Sequence, residues 1–447
     1  MDYSNRPSGS SMIVPIILGG VFIIVGGLLI SQLAPSAFAA PASAEAEQID
    51  ALFTVLLGIG GAIFLLVQGL LLYSIIRFRA KPGDMSDGPT IHGNTLLELI
   101  WTAIPAVIVL FLVIYSYSVW TDITQTRSGE QTVLANGARF AWTFEYDVEY
   151  DDPQTGTAQT MTISSPELHT YIGQPVRMEL TTQDVNHAFW VPEMRMKQDL
   201  LAGRQTEVRF TPVQEGRYRV VCAELCGSGH GLMYSYIIVH PSREEYLASF
   251  VDPAVQNILF PPPDPAIRGG TVIQSYPCSG CHVLVDERYN INWSGQTGPS
   301  LQGIADRAGN RRPGFTAEQY IANSIYHPGE YLVPGYGNLM NVFQNDDPAA
   351  AYYMPTEDLE AITAYLCTIS DTAENTCDLE NLVQYIRDTE DPNYVPIAEQ
   401  AADAAPESTA EGAAEPTAEA TPGADAAEAT AAAEGTVEAT AEATGTP

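Results

Sequence analysis

Long apolar stretches dominate the beginning of the chain. They run from about Met12 to Leu33, from about Ala51 to Ile76 and from about Leu96 to Val119. The second and third are long enough to cross, as helices, a bilayer hydrocarbon core that is roughly 30 Å thick. The sequence therefore predicts a transmembrane helical hairpin over residues 48–121.

The first apolar stretch has two interpretations. Ala37-Phe38-Ala39 resembles a signal-peptidase site, and residues 1–40 would then be a cleaved signal peptide. The stretch is also long for a signal sequence, so residues 1–40 are compatible with an additional transmembrane helix. The sequence leaves both interpretations open.

Positive charges predict the orientation of the hairpin. Arg77, Arg79 and Lys81 follow directly on its first helix, and an excess of Lys and Arg marks the cytoplasmic side of a membrane. Everything after Trp120 is therefore expected to lie outside the cytoplasm.

Short alternating segments replace the long apolar runs at residues 130–242. Phe140–Phe144 and Val176–Leu180 are two of these segments, and Gly and Pro residues separate them. This pattern is typical of an all-β sandwich of about a hundred residues. Phe260–Pro263 then predicts a stiff connection within a linker over residues 243–263.

The remaining chain divides into a helical region and a tail. Residues 264–390 have the pattern of helices and loops, with Leu359, Ile362 and Leu366 on one face of a helix. Residues 396–447 contain mostly Ala, Glu, Thr, Pro and Gly and no aromatic side chain, so we expect a disordered acidic tail. The predicted fold class is a membrane-anchored multidomain protein with a transmembrane hairpin, an all-β sandwich, an all-α domain and a disordered tail.

Charge excludes one class of partner. The chain has 447 residues, with 20 Lys and Arg against 54 Asp and Glu, which gives a formal net charge of −34. Eleven of these acids lie between Glu399 and Glu442, so the acidity is partly a property of the tail. Nucleic acid is not expected as a partner, because phosphate binding needs a basic surface.

A group of copper-type ligands stands in the predicted sandwich. A one-copper electron-transfer site needs two His, one Cys and a weak axial Met, and this sequence adds a second thiolate four residues after the first. Two soft thiolates on one loop can bridge two copper ions, which suits electron transfer rather than substrate chemistry. The candidate ligands are His187, Cys222, the backbone carbonyl of Glu224, Cys226, His230 and Met233.

Two other interpretations of the same cysteines stay open. Cys222 and Cys226 could form a disulfide in an oxidising compartment, or they could contribute to a closed zinc site. Neither interpretation accounts for Met233, which stands three residues after His230.

A second motif points to haem. Cys278-Ser-Gly-Cys281-His282 is the attachment sequence of c-type haem, in which two thiols bond the porphyrin and the adjacent imidazole ligates the iron. Gly298-Pro-Ser-Leu301 follows, and its proline carbonyl is suited to hold the imidazole N–H. A plain disulfide or one half of a zinc site is the alternative.

The sixth ligand of the haem iron has two candidates, Met340 and Met354. We favour Met340, because Met354 directly precedes the last helix of the domain and leaves little chain to wrap over the haem. Cys367 and Cys377 remain, either as a local disulfide or as free thiols.

Together these motifs resemble two known families. Residues of about 50–242 resemble subunit II of the haem–copper cytochrome c oxidases, through the hairpin and the stretches His92–Pro105, Asp184–Asp199 and Cys222–Met233. The segment Cys278–Leu366 is similar to class I cytochromes c, and the combination resembles the caa3-type oxidases.

The resemblance implies a function and a set of partners. It implies subunit II of an aa3- or caa3-type terminal oxidase in a bacterial cell membrane, with a cupredoxin-like domain that holds a dinuclear copper centre (CuA). A covalent haem c would accept electrons from cytochrome c or an equivalent donor. Subunit I would reduce O2 to water with proton translocation, and subunit III would belong to the same complex.

Further residue roles follow from the resemblance alone. The Glu224 side chain matches a carboxylate that helps to bind Mg²⁺ or Mn²⁺ at the interface with subunit I. Glu98 matches the acid at the mouth of a proton pathway, although a carboxylate near a membrane surface is also often a solvated helix end. Phe140 stands where the family usually has the first residue of a Trp-x-Trp pair, which argues against conventional docking of soluble cytochrome c there.

Two rival functions stay open at the level of sequence. A membrane-tethered copper-delivery module would explain the thiols but not the haem motif. An electron-transfer subunit of a nitric oxide reductase would share the copper centre and differ in its partner. A quinol-oxidase subunit is disfavoured, because that class lacks the copper ligands.

Overall fold

The computed structural model describes most of the chain up to the beginning of the tail. The described residues are 9–79, 82–83, 93–152, 155–343, 345, 352–372 and 377–404. Lys81, His92 and the part of the predicted tail beyond residue 404 lie outside these ranges.

Three helices among the described residues are long and apolar enough to cross a membrane. α1 spans Gly9–Leu33, α2 spans Ala44–Arg77 and α3 spans Thr95–Thr124. Large apolar side chains on α2 and α3 are exposed on the protein surface, among them Phe64 and Ile114. Because a lipid-facing surface is apolar, this exposure agrees with the predicted membrane hairpin, which α2 and α3 form.

α1 packs closely against α2 through glycines. A Cβ on Gly27 would lie 2.8 Å from the Gly58 carbonyl oxygen, and a Cβ on Gly61 would lie 2.8 Å from Ile30 Cδ1. Small residues of this kind let two membrane helices approach each other. The first apolar stretch is therefore a helix that packs closely against α2. Whether it is a cleaved signal peptide or an additional transmembrane helix stays a prediction.

α3 begins with a reciprocal cap. Asn94 Oδ1 accepts a hydrogen bond from the Leu97 N–H (3.2 Å), and Glu98 Oε1 accepts one from the Asn94 N–H (3.1 Å). These bonds satisfy backbone donors that the first turn of a helix leaves without partners. Glu98, the predicted proton-pathway residue, therefore belongs to the N-terminal cap of α3.

Two five-stranded sheets form the predicted sandwich. Their strand orders are β3-β2-β1-β5-β8 and β4-β10-β9-β6-β7. The strands are β1 Gln131–Ala138, β2 Ala141–Asp151, β3 Ala158–Ser165, β4 Leu168–Tyr171, β5 Val176–Thr181, β6 His187–Val191, β7 Met196–Leu200, β8 Thr206–Phe210, β9 Gly216–Cys222 and β10 Tyr234–His240. Val176, Met178 and Leu180 on alternate positions of β5 are buried in one apolar core with Phe144 and Phe189. The all-β sandwich is confirmed.

The segment between α1 and α2 is part of the sandwich. The Ala42 N–H donates to the Glu193 carbonyl (2.9 Å), and the Val213 N–H donates to the Ala42 carbonyl (3.0 Å). Ala42 and Ser43 are fully buried, and Ser43 forms a bridge with Pro212. The beginning of α2 is therefore anchored in the extramembrane domain.

Most of the predicted linker, residues 243–263, is helical. Its elements are α4 Arg243–Tyr246, a π-helical turn Leu247–Val251 and α5 Asp252–Leu259. The Phe250 ring stacks on the His169 ring of β4, with the centroids 3.9 Å apart. Aromatic packing therefore fixes on the sandwich a segment that the sequence predicts as a connection.

The C-terminal domain is mainly helical and contains a small β-ribbon. Its elements are α6 Pro265–Val272, β11 Val283–Asp286, β12 Ile291–Ser294, α7 Ile304–Ala308, α8 Ala317–Tyr326, α9 Thr356–Leu366 and α10 Leu379–Thr389. Gly269 of α6 lies directly against the Ala361 carbonyl of α9, without space for a Cβ. This close contact fixes α6 against α9.

The end of the described chain answers one open question and corrects one boundary. Cys367 and Cys377 form a disulfide with their Cα atoms 5.8 Å apart. α11 spans Ile397–Ala404, within the segment that the sequence analysis assigns to the disordered tail. The Ile397 N–H donates to the buried Glu360 carboxylate (3.1 Å), so burial of one apolar residue extends the ordered chain beyond Pro396.

Candidate metal centre and cofactor pocket

The candidate copper ligands lie on three neighbouring strand ends and the loop that joins two of them. His187 begins β6, Cys222 ends β9, and Met233 directly precedes β10. The Cys222 N–H donates to the Met233 carbonyl (3.1 Å) and closes the loop at its base. Gly227 within the loop has φ +135°, a backbone conformation that favours glycine.

Cys222, Cys226 and His187 form a buried cluster, and His230 lies half-buried at its edge. Cys222 Sγ and Cys226 Sγ are 3.8 Å apart, and both thiols are free rather than joined as a disulfide. His187 Nδ1 lies 3.8 Å from Cys222 Sγ, and His230 Nδ1 lies 3.6 Å from Cys226 Sγ. Each sulfur therefore has its own imidazole.

Each sulfur also has one weak donor beside it. The Glu224 carbonyl oxygen lies 3.2 Å from Cys222 Sγ, and Met233 Sδ lies 3.9 Å from Cys226 Sγ. The structure thus brings all the predicted ligand positions together. Soft thiolates, imidazoles and a thioether are donors that suit copper, so the donor set fits the predicted metal.

The electrostatics of the cluster favour the thiolate form of Cys222 over that of Cys226. Burial raises the pKa of the Cys222 thiol, but hydrogen bonds, led by the one from His187, outweigh burial and lower that pKa to about 6. Burial, followed by the charge of Cys222, raises the pKa of the Cys226 thiol. Because the thiolate is the metal-binding form of cysteine, Cys222 is the better prepared of the two.

A carboxylate that the sequence analysis does not single out supports His187. Asp184 Oδ1 lies 2.9 Å from His187 Nε2, which directs Nδ1 toward Cys222. Burial raises the pKa of Asp184, but hydrogen bonds, led by the one from His187, outweigh burial and lower that pKa to about 2. Metal-binding histidines usually donate their second ring N–H to such a group, and the spacing Asp184-Val-Asn-His187 was the available signal.

The ligand loop also presents side chains to the outside. Leu225, between the two cysteines, is 79% exposed, and the neighbouring Glu224 side chain is exposed as well. The Glu224 backbone therefore faces the cluster while its carboxylate points away from the core.

The predicted haem motif borders a largely apolar cavity, lined by Cys278, Cys281 and His282 among others. The Cys278 and Cys281 thiols are free. His282 Nδ1 lies 2.7 Å from the Pro299 carbonyl, as the sequence predicts, and this contact reserves Nε2 for another partner. Burial lowers the pKa of His282, which favours the neutral imidazole that binds metals.

Glycines allow this arrangement of the imidazole. A Cβ on Gly298 would lie 2.7 Å from His282 Cε1, and a Cβ on Gly295 would lie 2.5 Å from the Cys281 carbonyl carbon. Any larger residue at either position would displace the attachment loop. Free thiols, a buried imidazole and an apolar cavity together fit a covalently bound haem.

Both candidate axial methionines line the same cavity. Met354 is 1% exposed, and its carbonyl accepts a hydrogen bond from the Tyr326 hydroxyl (2.7 Å). Met340 is half-buried and lies on the loop that follows α8. The choice of Met340 stays a prediction.

Comparison with known families places two regions of the chain. Residues 31–119 match the transmembrane domain of cytochrome C oxidase subunit II, and residues 131–240 match the periplasmic domain of the same subunit. Cytochrome c oxidase subunit 2 of Synechocystis sp. is 36% identical over 280 residues, which cover 52% of this chain and 79% of the relative.

Two further proteins are similar to parts of the chain. Cytochrome c oxidase subunit 2 of Alkalihalophilus pseudofirmus is 29% identical over 298 residues, which cover 65% of this chain and 78% of the relative. The solved periplasmic domain of subunit II of cytochrome oxidase from Bradyrhizobium japonicum is 26% identical, with a TM-score of 0.24. That match covers 30% of this chain and 99% of the solved one.

Proposed function

Because the chain belongs to the cytochrome c oxidase subunit II family, we propose that it takes electrons in through a covalent haem c and passes them on through a dinuclear CuA centre. The chain is the electron-transfer subunit of a cytochrome-c oxidase and not the subunit that reduces O2. One observation carries the proposal. Two free thiols lie 3.8 Å apart. Each sulfur has one imidazole nitrogen and one weak donor, a carbonyl oxygen or a thioether, at 3.2–3.9 Å.

The copper pair would be held mainly by its two thiolates. Cys222, Cys226, His187 and His230 would hold the pair, with the Glu224 carbonyl and Met233 as weak donors. When bound, the pair supplies one-electron redox chemistry. The buried side chains of His187, Cys222, Cys226 and Met233 exclude water from the donors, and a fixed donor set would favour fast electron transfer.

The haem would be held by the C-terminal domain. Cys278 and Cys281 would attach the haem, and His282 would ligate its iron while the Pro299 carbonyl accepts from Nδ1. We propose Met340 as the second axial ligand, with Met354 as the alternative. Support for Met340 comes from its place on the long loop between α8 and α9, whereas Met354 lies just before α9 and has little chain to follow a haem face.

Family membership supports a proposed location and a proposed set of partners. We place the sandwich and the C-terminal domain outside the cytoplasm of a bacterial cell, with α2 and α3 in the membrane. Subunits I and III are the proposed membrane partners, and cytochrome c or an equivalent carrier is the donor.

Two carboxylates have proposed roles at the interface with subunit I. The exposed Glu224 side chain is free of the ligand cluster and could reach a hard cation such as Mg²⁺ or Mn²⁺. Glu98 lies in the first turn of α3, where a proton would enter from the membrane surface. The same carboxylate also caps the helix, so its loss has a structural cost as well.

The decisive experiment is metal analysis with electron paramagnetic resonance on the full chain in detergent. We expect two copper ions and one iron per chain and a hyperfine pattern from two equivalent coppers. A chain that stays copper-free under reducing conditions, in which Cys222 and Cys226 are both thiols, would contradict the proposal. Copurification with subunit I rather than with a nitric oxide reductase separates the two possible destinations of the electron.

A further inference from the structure

The two candidate sites meet at Phe140, between β1 and β2. Phe140 is 4% exposed, and its ring packs under the copper loop: a Cβ on Gly229 would lie 2.5 Å from its Cδ2, and a Cβ on Gly227 would lie 3.1 Å from its Cζ. On the other side, the Phe140 carbonyl oxygen would lie 3.4 Å from a Cβ on Gly280, inside the haem motif. One residue therefore touches both ligand loops, and we call the contact between Phe140 and Gly280 the junction.

A second contact keeps the C-terminal domain at this end of the sandwich. The Tyr234 hydroxyl of β10 lies 3.3 Å from the Ser294 hydroxyl of β12. Tyr234 directly follows the ligand Met233, and β12 pairs with β11, which directly follows His282. These two contacts between the domains thus involve chain next to a candidate ligand.

One carboxylate connects the junction with the copper ligands. Asp184 Oδ2 accepts hydrogen bonds from the Arg139 backbone N–H (2.8 Å) and from Arg139 Nε (3.2 Å). Its other oxygen, Oδ1, lies 2.9 Å from His187 Nε2. Arg139 immediately precedes Phe140. The same rigid group therefore holds a candidate copper ligand with one oxygen and the backbone beside the junction with the other.

The Asp184 carboxylate is itself held firmly. Oδ1 also accepts from the Val185 N–H (2.6 Å) and from the Thr182 hydroxyl (3.0 Å), and the side chain is only 21% exposed. Hydrogen bonds to a charged acceptor are about twice as strong as neutral ones. A carboxylate with this many donors transmits a displacement at one oxygen to the other.

We propose that Asp184 is a positioning residue that couples the orientation of His187 to the docking of the haem loop on Phe140. A shift of the haem loop at the junction moves the Arg139 backbone, and through Asp184 it moves the imidazole. The copper site and the docking of the C-terminal domain therefore respond together. The part that concerns His187 as a ligand rests on the proposed function, whereas the junction itself does not.

The test uses the full chain in detergent with copper and haem bound, and compares it with Asp184→Asn. The amide keeps the size of the side chain but loses an acceptor for either His187 or Arg139. We expect an altered copper hyperfine pattern in electron paramagnetic resonance. We also expect hydrogen exchange to be about tenfold faster in peptides 136–144 and 276–283, from the loss of one hydrogen bond to a charged group.

Three further variants make the result specific. Asp147→Asn is the matched control, because Asp147 lies on β2, is exposed and bonds only to Thr162 among the contacts resolved for it (2.7 Å). Arg139→Gln removes the side-chain bond but keeps the backbone bond, so we expect at most a twofold change. If Asp184→Asn fails to fold, Thr182→Val removes one donor to Asp184 and should produce a smaller change in the same direction.

Each outcome decides the proposal. An altered copper signal with unchanged exchange in peptide 276–283 would overturn the coupling, and unchanged signal and exchange would overturn the positioning role as well. If the unmodified chain binds no copper, the proposed function fails. The exchange measurement then still decides the junction, because faster exchange in both peptides supports it and exchange equal to that of Asp147→Asn refutes it.

Discussion

The copper cluster and the haem cavity hold their ligands in contrasting ways. At the copper cluster, every candidate donor stands at a strand end or on the loop that joins β9 to β10, and Asp184 buttresses one imidazole. At the haem cavity, the attachment motif is fixed by Pro299 and by glycines, but most of the lining is apolar and the proposed axial ligand, Met340, lies on a long loop. Hydrogen bonds between strands fix the candidate copper ligands, whereas the packing of apolar side chains around a cavity shapes the candidate haem site.

This contrast has an energetic consequence. A cluster held by directional bonds loses its function when one donor is removed, because no neighbouring side chain can take the vacant place. An apolar cavity tolerates changes of similar volume in its lining, since packing there is less directional. We therefore expect a single substitution to abolish metal binding at the copper cluster. At the haem cavity we expect a single substitution in the apolar lining to change haem binding only by degrees.

The largest expected effect is at Cys226. Cys226→Ala removes one of the two bridging sulfurs and should abolish binding of the copper pair, while one haem per chain remains attached. Metal analysis and the optical spectrum of the haem measure the two sites separately. Cys281→Ala is the matched change at the haem, and it should lower haem attachment without loss of copper. Simultaneous loss of both groups in either variant would show that the sites do not hold their ligands independently.

The second prediction separates the two methionines. Met340→Leu should remove the thioether from the iron and lower the reduction potential of the haem, because a thioether ligand raises it. Met354→Leu is a volume-conserving change in the core and should cost less than about 1.5 kcal/mol of stability with the potential unchanged. A redox titration of the two variants gives the answer, and the opposite pattern would assign Met354 as the ligand.

The third prediction concerns the scaffold of the haem cavity. Gly269→Ala places a methyl group against the Ala361 carbonyl, and overpacking of this kind costs about 1–3 kcal/mol. Thermal unfolding of the C-terminal domain should occur at a lower temperature, with the copper signal unchanged. Gly309→Ala is the control, because a Cβ there meets its neighbours only at 3.6 Å and φ is −63°.

The smallest expected effect depends on pH. Asp286 accepts from the Tyr365 hydroxyl (2.9 Å) and pairs with Arg288 (2.8 Å); burial raises its pKa, but these bonds outweigh burial and lower the pKa below 3.8. Its stabilisation is therefore present above pH of about 4 and is lost as the pH falls through the lowered value. Asp286→Asn should cost about 2 kcal/mol near neutral pH.

Denaturation of this pair of proteins as a function of pH measures the effect. The difference in the free energy of unfolding between the unmodified chain and Asp286→Asn should shrink as the pH falls below about 4, because protonation removes the same charge from the unmodified chain. A difference that stays constant down to low pH would mean that Asp286 stabilises the domain by packing rather than by charge.

Spacing along the chain was sufficient to predict the copper cluster. Cys222, Cys226, His230 and Met233 stand within one loop, so that local geometry alone brings them close. His187 is distant in sequence, but it was found because a copper site needs a second imidazole. Asp184 was missed as a supporting group of His187 although its spacing was visible, and its second contact, with the Arg139 backbone, is one that only the fold creates.

Other features were not accessible to pattern alone. The packing of Phe250 on His169 is a contact between distant segments, and so the linker was predicted as a simple connection. The burial of Ile397 likewise depends on Glu360 in α9, which the composition of the tail does not reveal. The pairing of Cys367 with Cys377 was left open because spacing allows a disulfide without requiring it.

The anchoring of Ala42 and Ser43 in the sandwich bears on how a water-soluble fragment should be cut. A fragment that starts at β1 would lack two fully buried residues and the backbone partners of Glu193 and Val213. The peptide groups of Glu193 and Val213 would then lack their hydrogen-bond partners in the fragment. Supplying the missing strand as a separate peptide, or fusing residues 39–46 ahead of β1, should restore the solubility and the folding yield of such a fragment.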